Sequence, residues 1–303
     1  MLAAGLNGFI SAQGFPRIGM MTTLLGAVLN LILDPVFIFW LDMGVAGAAL
    51  ATVLSQIVSC LWVLRFLTGR KAQLLIRKEN LRVDWKLASE IVSLGMAGFI
   101  MQATNCLVQI VCNSTLKLYG GDLYVGIMTV INSVREILSL PVGGLTSGAQ
   151  PVLGYNYGAK RYDRVCQGIR FAAVLGITYT VLAWIAVIRC PHLLLGIFTE
   201  DKAMLEAGVP ALRLYFFGFF FMAFQFAGQS AFTALGYSKQ AIFFSLLRKA
   251  VIVAPLTVVL PRLWGLGVDG VFLAEPISNA IGGLACFITM YLVLYRKLKK
   301  ECR

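Results

Sequence analysis

Two ionisable residues stand side by side in a run of apolar sequence: Arg135 and Glu136, within TVINSVREILSLPVGG. With helical spacing, Asn132, Glu136 and Ser139 share one face, and Arg135 lies alongside. Other apolar runs carry polar stripes of the same kind. Gln102, Asn105, Gln109 and Asn113 recur at spacings of 3, 4 and 4. Gln225 and Gln229 are four apart, and Glu275 is followed by Ser278 and Asn279. Such groups bind and release a cation or a proton, or orient a polar ligand by hydrogen bonds. They do not form a catalytic set. The single histidine, His192, sits beside Pro191 at the end of a run, and the seven cysteines have neither metal nor redox spacing.

Plainer readings stand beside these. Asn, Gln and Ser also join helices by hydrogen bonds. Arg135 and Glu136 point about 100° apart on a helix, so each is expected to find a partner on another helix, and a structural ion pair is one such outcome. Glu275 lies nearer the outer surface and reads as either a cavity or an interface residue. Asp34, directly before Pro35, reads as a cap or turn residue. Arg248 and Lys249 lie two turns from one end of their run and are expected to snorkel to the surface.

The elements that hold these residues are set by composition. The chain has 303 residues, 59% hydrophobic and 13% charged. That balance exceeds the apolar share of a soluble domain, and the apolar residues fall in runs long enough to cross a hydrocarbon core as helices. After a helix stub over residues 1 to 12, eight spans are expected. They are Ile18 to Trp40, Gly47 to Phe66, Glu90 to Leu116, Leu123 to Leu153, Ile169 to Cys190, Ala207 to Leu235, Gln240 to Leu260 and Val271 to Tyr295. The fourth is expected to break at its centre, around Pro141, Gly143 and Gly144. Residues 69 to 89 are polar, with amphipathic spacing at Leu74, Leu75, Leu81, Trp85 and Leu87, and read as a linker bearing a surface helix. The start of the chain lacks the basic n-region of a secretory signal.

The net charge of +12 is distributed unevenly. Of the 26 Lys and Arg residues, 18 fall on the side that carries the C-terminal RKLKKECR. The opposite loops hold only Lys117, Arg189, Lys202 and Arg262, together with several acids. This asymmetry places the C terminus in the cytoplasm and explains the positive charge without nucleic acid.

The chain also repeats itself. AQGFPRI at 12 to 18 aligns with ALGYSKQ at 234 to 240, at an offset of 222. Gly44-Val45-Ala46-Gly47 aligns with Gly267-Val268-Asp269-Gly270 at an offset of 223, and Leu50-Ala51 follows with Leu273-Ala274. Two copies in the same orientation are the mark of a parallel-repeat transporter. On this reading, residues 1 to 68 are a remnant of one lobe, 69 to 89 the linker, and 90 to 303 the second lobe. Four spans precede the second turn and only a stub precedes the first, so about 130 residues are expected upstream of Met1.

Three stretches carry a family resemblance: LGAVLNLILDPVFIF, GVAGAALATVLSQ and LPVGGLTSGAQPVLGYNYGAKRYDR. The chain resembles the multidrug and toxic compound extrusion (MATE) transporters, in particular the bacterial branch with a GxQPxxGYNYGA motif. The resemblance covers essentially the whole chain, as helices 5 to 12 of a twelve-helix, two-lobe protein. It implies a central cleft, a monomer in the bacterial inner membrane, no cofactor, and export of cationic, aromatic compounds driven by inward Na+ or H+. Asn30, Asp34, Pro35, Gly47, Pro141, Gly144, Gln150, Pro151, Asn156 and Gly158 then belong to structural or gating motifs. Glu136 becomes the candidate coupling residue. The family's first helix, which often bears an acidic coupling residue, has no counterpart here, and the chain alone is expected not to transport. Two other readings remain. A lipid or oligosaccharide-lipid flippase shares the architecture but is expected to line its cavity with several arginines, of which Arg135 is the main example here. The other is a membrane remnant without transport activity.

Overall fold

The computed structural model describes residues 2–69, 72, 84–263 and 265–301. Most of the expected surface helix, including Leu74, Leu75 and Leu81, lies outside the described residues. The described elements are helical, and they form two compact units, Met1–Trp85 and Lys86–Arg303. The division falls inside the polar segment 69 to 89.

The first unit contains α1 (Leu2–Ala12), α2 (Pro16–Trp40) and α3 (Gly44–Leu67). Gly14, at φ +88°, turns the chain between α1 and α2. There the Phe15 N–H donates to the Ile10 carbonyl at 3.2 Å and the Gly14 N–H to Ser11 at 3.1 Å, a Schellman turn that needs a left-handed residue. Pro16 then opens α2, where its missing N–H leaves no donor unused. Small residues bring α2 and α3 together: a Cβ on Gly26 would lie 2.5 Å from the Ser59 hydroxyl, and one on Gly47 would lie 2.7 Å from the Phe37 carbonyl oxygen. Ile10, Val63 and Leu67 form the local core.

The second unit begins with α4 (Trp85–Gly158), whose 74 residues are interrupted at Gly121 (φ 69°, ψ −167°). An unbroken helix of that length would measure about 110 Å, several times the hydrocarbon thickness. The two arms instead reverse at Gly121, next to an exposed Lys117–Asp122 pair at 3.2 Å. The expected break at Pro141 does not occur, for Gly121 is the only residue inside α4 with non-helical backbone angles. Proline inside a membrane helix forfeits one hydrogen bond, and neighbouring hydroxyls re-satisfy nearby carbonyls. The carbonyl that Pro141 leaves without its helical donor is that of Ile137; the nearby hydroxyls donate to others, Ser139 to the Arg135 carbonyl at 2.6 Å and Thr146 to the Val142 carbonyl at 3.0 Å.

After α4 come α5 (Tyr162–Arg189), α6 (Pro191–Gly196), α7 (Lys202–Phe216), α8 (Phe221–Ala234), α9 (Ser238–Arg262) and α10 (Val268–Glu301). The expected sixth span is not one helix: α7 and α8 meet at 49°. At the bend, a Cβ on Gly218 would lie 3.0 Å from the Pro276 carbonyl oxygen, so α10 approaches the backbone there. Among the described residues, six helices are long and apolar enough to cross a membrane, and the bent pair, taken as one span, makes a seventh. On that count α4 registers once, which is where it departs from the expected eight. One core gathers Ile131, Leu212, Phe216 and Phe272, and another Ile169, Phe232, Phe244 and Met290.

The aligned repeat segments fold alike. Gly236, at φ +82°, repeats the turn of Gly14, with the Tyr237 N–H donating to Phe232 at 2.8 Å and the Gly236 N–H to Thr233 at 3.3 Å. Gly44 and Gly267 have φ of 53° and 51°. A Cβ on Gly270 would lie 2.7 Å from the Leu260 carbonyl carbon, the counterpart of the Gly47 and Phe37 approach.

Candidate functional site

Helix α9 leaves the α-helical pitch over Leu247–Val253 and runs as a π-helix. Adjacent residues diverge less on this wider turn than on an α-helix, so Arg248 and Lys249 both reach Glu275 on α10. Arg248 Nη1 donates to Glu275 Oε1 at 3.1 Å and to Asn279 Oδ1 at 2.7 Å. Lys249 Nζ lies 3.0 Å and 3.2 Å from the two Glu275 oxygens. The Ser278 hydroxyl donates to the Arg248 carbonyl at 3.1 Å. A Cβ on Gly282 would lie 2.9 Å from Arg248 Cγ, so a small residue there makes room for the arginine stem. Glu275, Asn279 and Lys249 are 6%, 3% and 9% exposed. Arg248 and Lys249 therefore do not snorkel, and Glu275 is no surface residue. A buried carboxylate gives them a stronger partner than distant water.

A cavity of about 320 Å³ lies over this group. Both arms of α4 line it, through Gln102, Asn105 and Gln109 on the first and Asn132, Arg135 and Glu136 on the second. A second cavity of about 830 Å³ shares Arg135, Glu136, Phe226 and Arg248 with it. Arg135 is the cavity cation that forms no ion pair among the described residues. Neither it nor Glu136 forms an ion pair among the described residues, and Arg135 Nε is buried with no hydrogen-bond partner. The partners expected for them on other helices are thus not in place. Of the remaining amides, Asn113 does not line the cavity. Gln225 donates to Gln229 at 3.3 Å, and Gln229 to the Met101 sulfur at 3.8 Å, so this pair ties α8 to α4.

The first unit holds a polar group of its own. Asp34 lies inside α2 and forms neither the turn nor the cap expected of it. Asn30 Nδ2 donates to Asp34 Oδ1 at 3.1 Å and to the Thr52 hydroxyl at 3.5 Å. The motif residues Pro141, Gly144, Gln150 and Pro151 fall within the second arm of α4, and Gly158 ends it. Asn156 donates to the Val152 carbonyl at 2.8 Å, and its own carbonyl accepts the Arg161 N–H at 2.8 Å, closing the turn into α5.

Sequence reasoning overlooked Arg248 and Lys249 as cavity residues, and also Tyr215, which lines the cavity beside them. A signal for the two cations existed. Only four of the 26 basic residues lie well inside apolar runs: Arg135, Arg213, Arg248 and Lys249. Three of these four line the cavity.

The MatE family profile matches residues 98–259, more than half of the chain. The chain belongs to the MATE family. Members are secondary transporters rather than enzymes. This MATE chain is 27% identical over 289 residues to the multidrug export protein MepA of Staphylococcus aureus (strain N315), covering 95% of itself and 63% of that protein. It is 26% identical over 295 residues to MepA of Staphylococcus saprophyticus, with the same coverage. It thus spans somewhat less than two thirds of the length of these relatives. Among solved structures it resembles a multidrug resistance MATE transporter of the MOP superfamily in an outward-facing conformation, with a TM-score of 0.89 and 21% identity. A MATE crystal structure in the straight conformation gives 0.90 at 21% identity. Each comparison covers 97% of this chain and 66% of the other, and at this identity the likeness is one of fold.

Proposed function

We propose that this MATE chain forms the greater part of an ion-coupled multidrug exporter of the bacterial inner membrane. The observation that carries the reading is the cavity itself. Ionisable and amide side chains from both arms of α4, α9 and α10 converge on a space of about 320 Å³ inside a bundle whose helices are otherwise apolar. Such an arrangement is expensive in a bilayer and marks a transport path. The relatives' description as multidrug export proteins supports the same reading.

Counted as two spans, the arms of α4 bring the total to eight, with the basic tail in the cytoplasm and the protein working as a monomer. The exported compound is small, aromatic and amphipathic. The coupling ion is Na+ or H+, and Glu136 is its acceptor: it lines both cavities of the second unit and has no cationic partner among the described residues. Glu275 is unsuited to that role, because Arg248 and Lys249 already neutralise it. Asp34 is a second acceptor, favoured by the Asn30 and Thr52 side chains grouped around it. Efflux of ethidium and of 2-naphthoate from cells expressing the chain within a two-lobe transporter tests the proposal. Efflux that stops when an ionophore collapses the driving gradient is the expected result; efflux indifferent to every ion gradient refutes the coupling.

A further inference from the structure

The cavity of the second unit is lined by three cations, Arg135, Arg248 and Lys249, against two carboxylates, Glu136 and Glu275. Glu275 is engaged by Arg248 and Lys249 together. Arg135 is left with a buried Nε that meets no acceptor. Positive charge is therefore in excess, within low-dielectric walls that strengthen its field. Tyr215 and Phe226 supply aromatic surface on the same cavity.

The internal repeat indicates that this charge is not required by the fold. In the first unit Gly26 packs against Ser59, and in the second Arg248 packs against Gly282 at the equivalent approach. Thr52 and Gln56 stand where the second unit has Glu275 and Asn279, at an offset of 223. Among the described residues the same helix pair is thus built once without a buried ion pair and once around one. A buried ion group that the scaffold can do without is better explained by a ligand than by packing.

We propose that this cavity binds the carboxylate of an aromatic acid, with Arg135 as the group that receives it. The inference rests on reading the cavity as the substrate site. A carboxylate fills the open acceptor position on the guanidinium, which is made for planar, charge-assisted pairing. It also offsets the excess positive charge that an organic cation would aggravate. The ring lies against Tyr215 and Phe226, and the amides Gln102 and Asn105 face the same space.

The test is equilibrium binding to the purified chain in nanodiscs, with empty nanodiscs subtracted, using 2-naphthoate, 2-naphthamide and 2-naphthylmethylammonium. Naphthoate is expected to bind about tenfold or more tighter than the amide, as one charge-assisted hydrogen bond predicts, and the ammonium weakest. Arg135→Gln is expected to erase the preference for naphthoate over the amide, and Arg135→Lys to restore part of it. The order of the three probes on the unsubstituted chain decides the matter even where a variant fails to fold. Naphthoate that binds no tighter than the amide, or not measurably, overturns the proposal, as does an ammonium that binds tightest. Failure of naphthoate efflux with naphthoate binding intact removes only the export reading.

Discussion

Lys249 and Glu275 are joined twice, with Nζ at 3.0 Å from one carboxylate oxygen and 3.2 Å from the other, and both side chains are almost fully buried. Removing the acid strands two cations, whereas removing the lysine leaves Arg248 still paired. Glu275→Gln should therefore lower stability by roughly 3–5 kcal/mol, and Lys249→Met by less. Thermal unfolding in detergent gives the comparison; equal losses would mean that Arg248 does not share the acid.

Among the described residues, Glu136 can be neutralised without disturbing any ion pair. In an efflux-competent form of the protein, Glu136→Gln should weaken ion-driven efflux about tenfold or more while membrane expression is unchanged. If efflux persists and Asp34→Asn abolishes it, the acceptor lies in the first unit.

Two glycines on membrane helices should respond oppositely to alanine. A Cβ on Gly283 would lie 2.7 Å from the Phe221 carbonyl oxygen, and backbone cannot swing aside. Gly283→Ala should lose about 1–3 kcal/mol. Gly143 has nothing within 4 Å of its Cβ position. Gly143→Ala should be neutral, or gain up to about 1 kcal/mol from helix propensity. Melting temperatures of the two variants decide.

The turns at Gly14 and Gly236 share one backbone geometry, at φ +88° and +82°. Gly14→Ala and Gly236→Ala should each be destabilising by about 1–2 kcal/mol. Guanidinium or thermal denaturation of the pair measures this. A large difference between them would show that the turns are not equivalent.

The chain's own cysteines report its orientation. Cys190 follows Arg189 at the far end of α5 and is exposed, while Cys302 lies in the basic tail. A membrane-impermeant maleimide applied to intact spheroplasts should label Cys190 and spare Cys302. The reverse pattern would invert the assigned topology.

Apolar runs and turn residues made most of the helices readable, because a bilayer demands length and a closed backbone and little else. The reversal at Gly121 falls in the gap expected between Leu116 and Leu123. Proline and glycine misled at Pro141, where the helix runs on. They were silent at Gly218, where the bend comes from packing against Pro276 and the flanking sequence is uniformly apolar. At the site, Arg135, Glu136 and the first-arm amides were legible as one-face stripes. Arg248 and Lys249 were not, since adjacent residues on an ordinary helix face different ways and only the π turn of α9 brings both to Glu275.

That π turn has a historical consequence. The offset between the two copies is 222 where Gly26 answers to Arg248, and 223 where Phe37 answers to Leu260. The second copy is therefore one residue longer between these points, over an interval that begins inside Leu247–Val253. A wide turn absorbs an inserted residue without unwinding the helix around it. A difference of one residue is enough to shift the phase of one helix against its neighbour. The longer copy carries the buried ion pairs, while the shorter one has glycine, threonine and glutamine at the matching places.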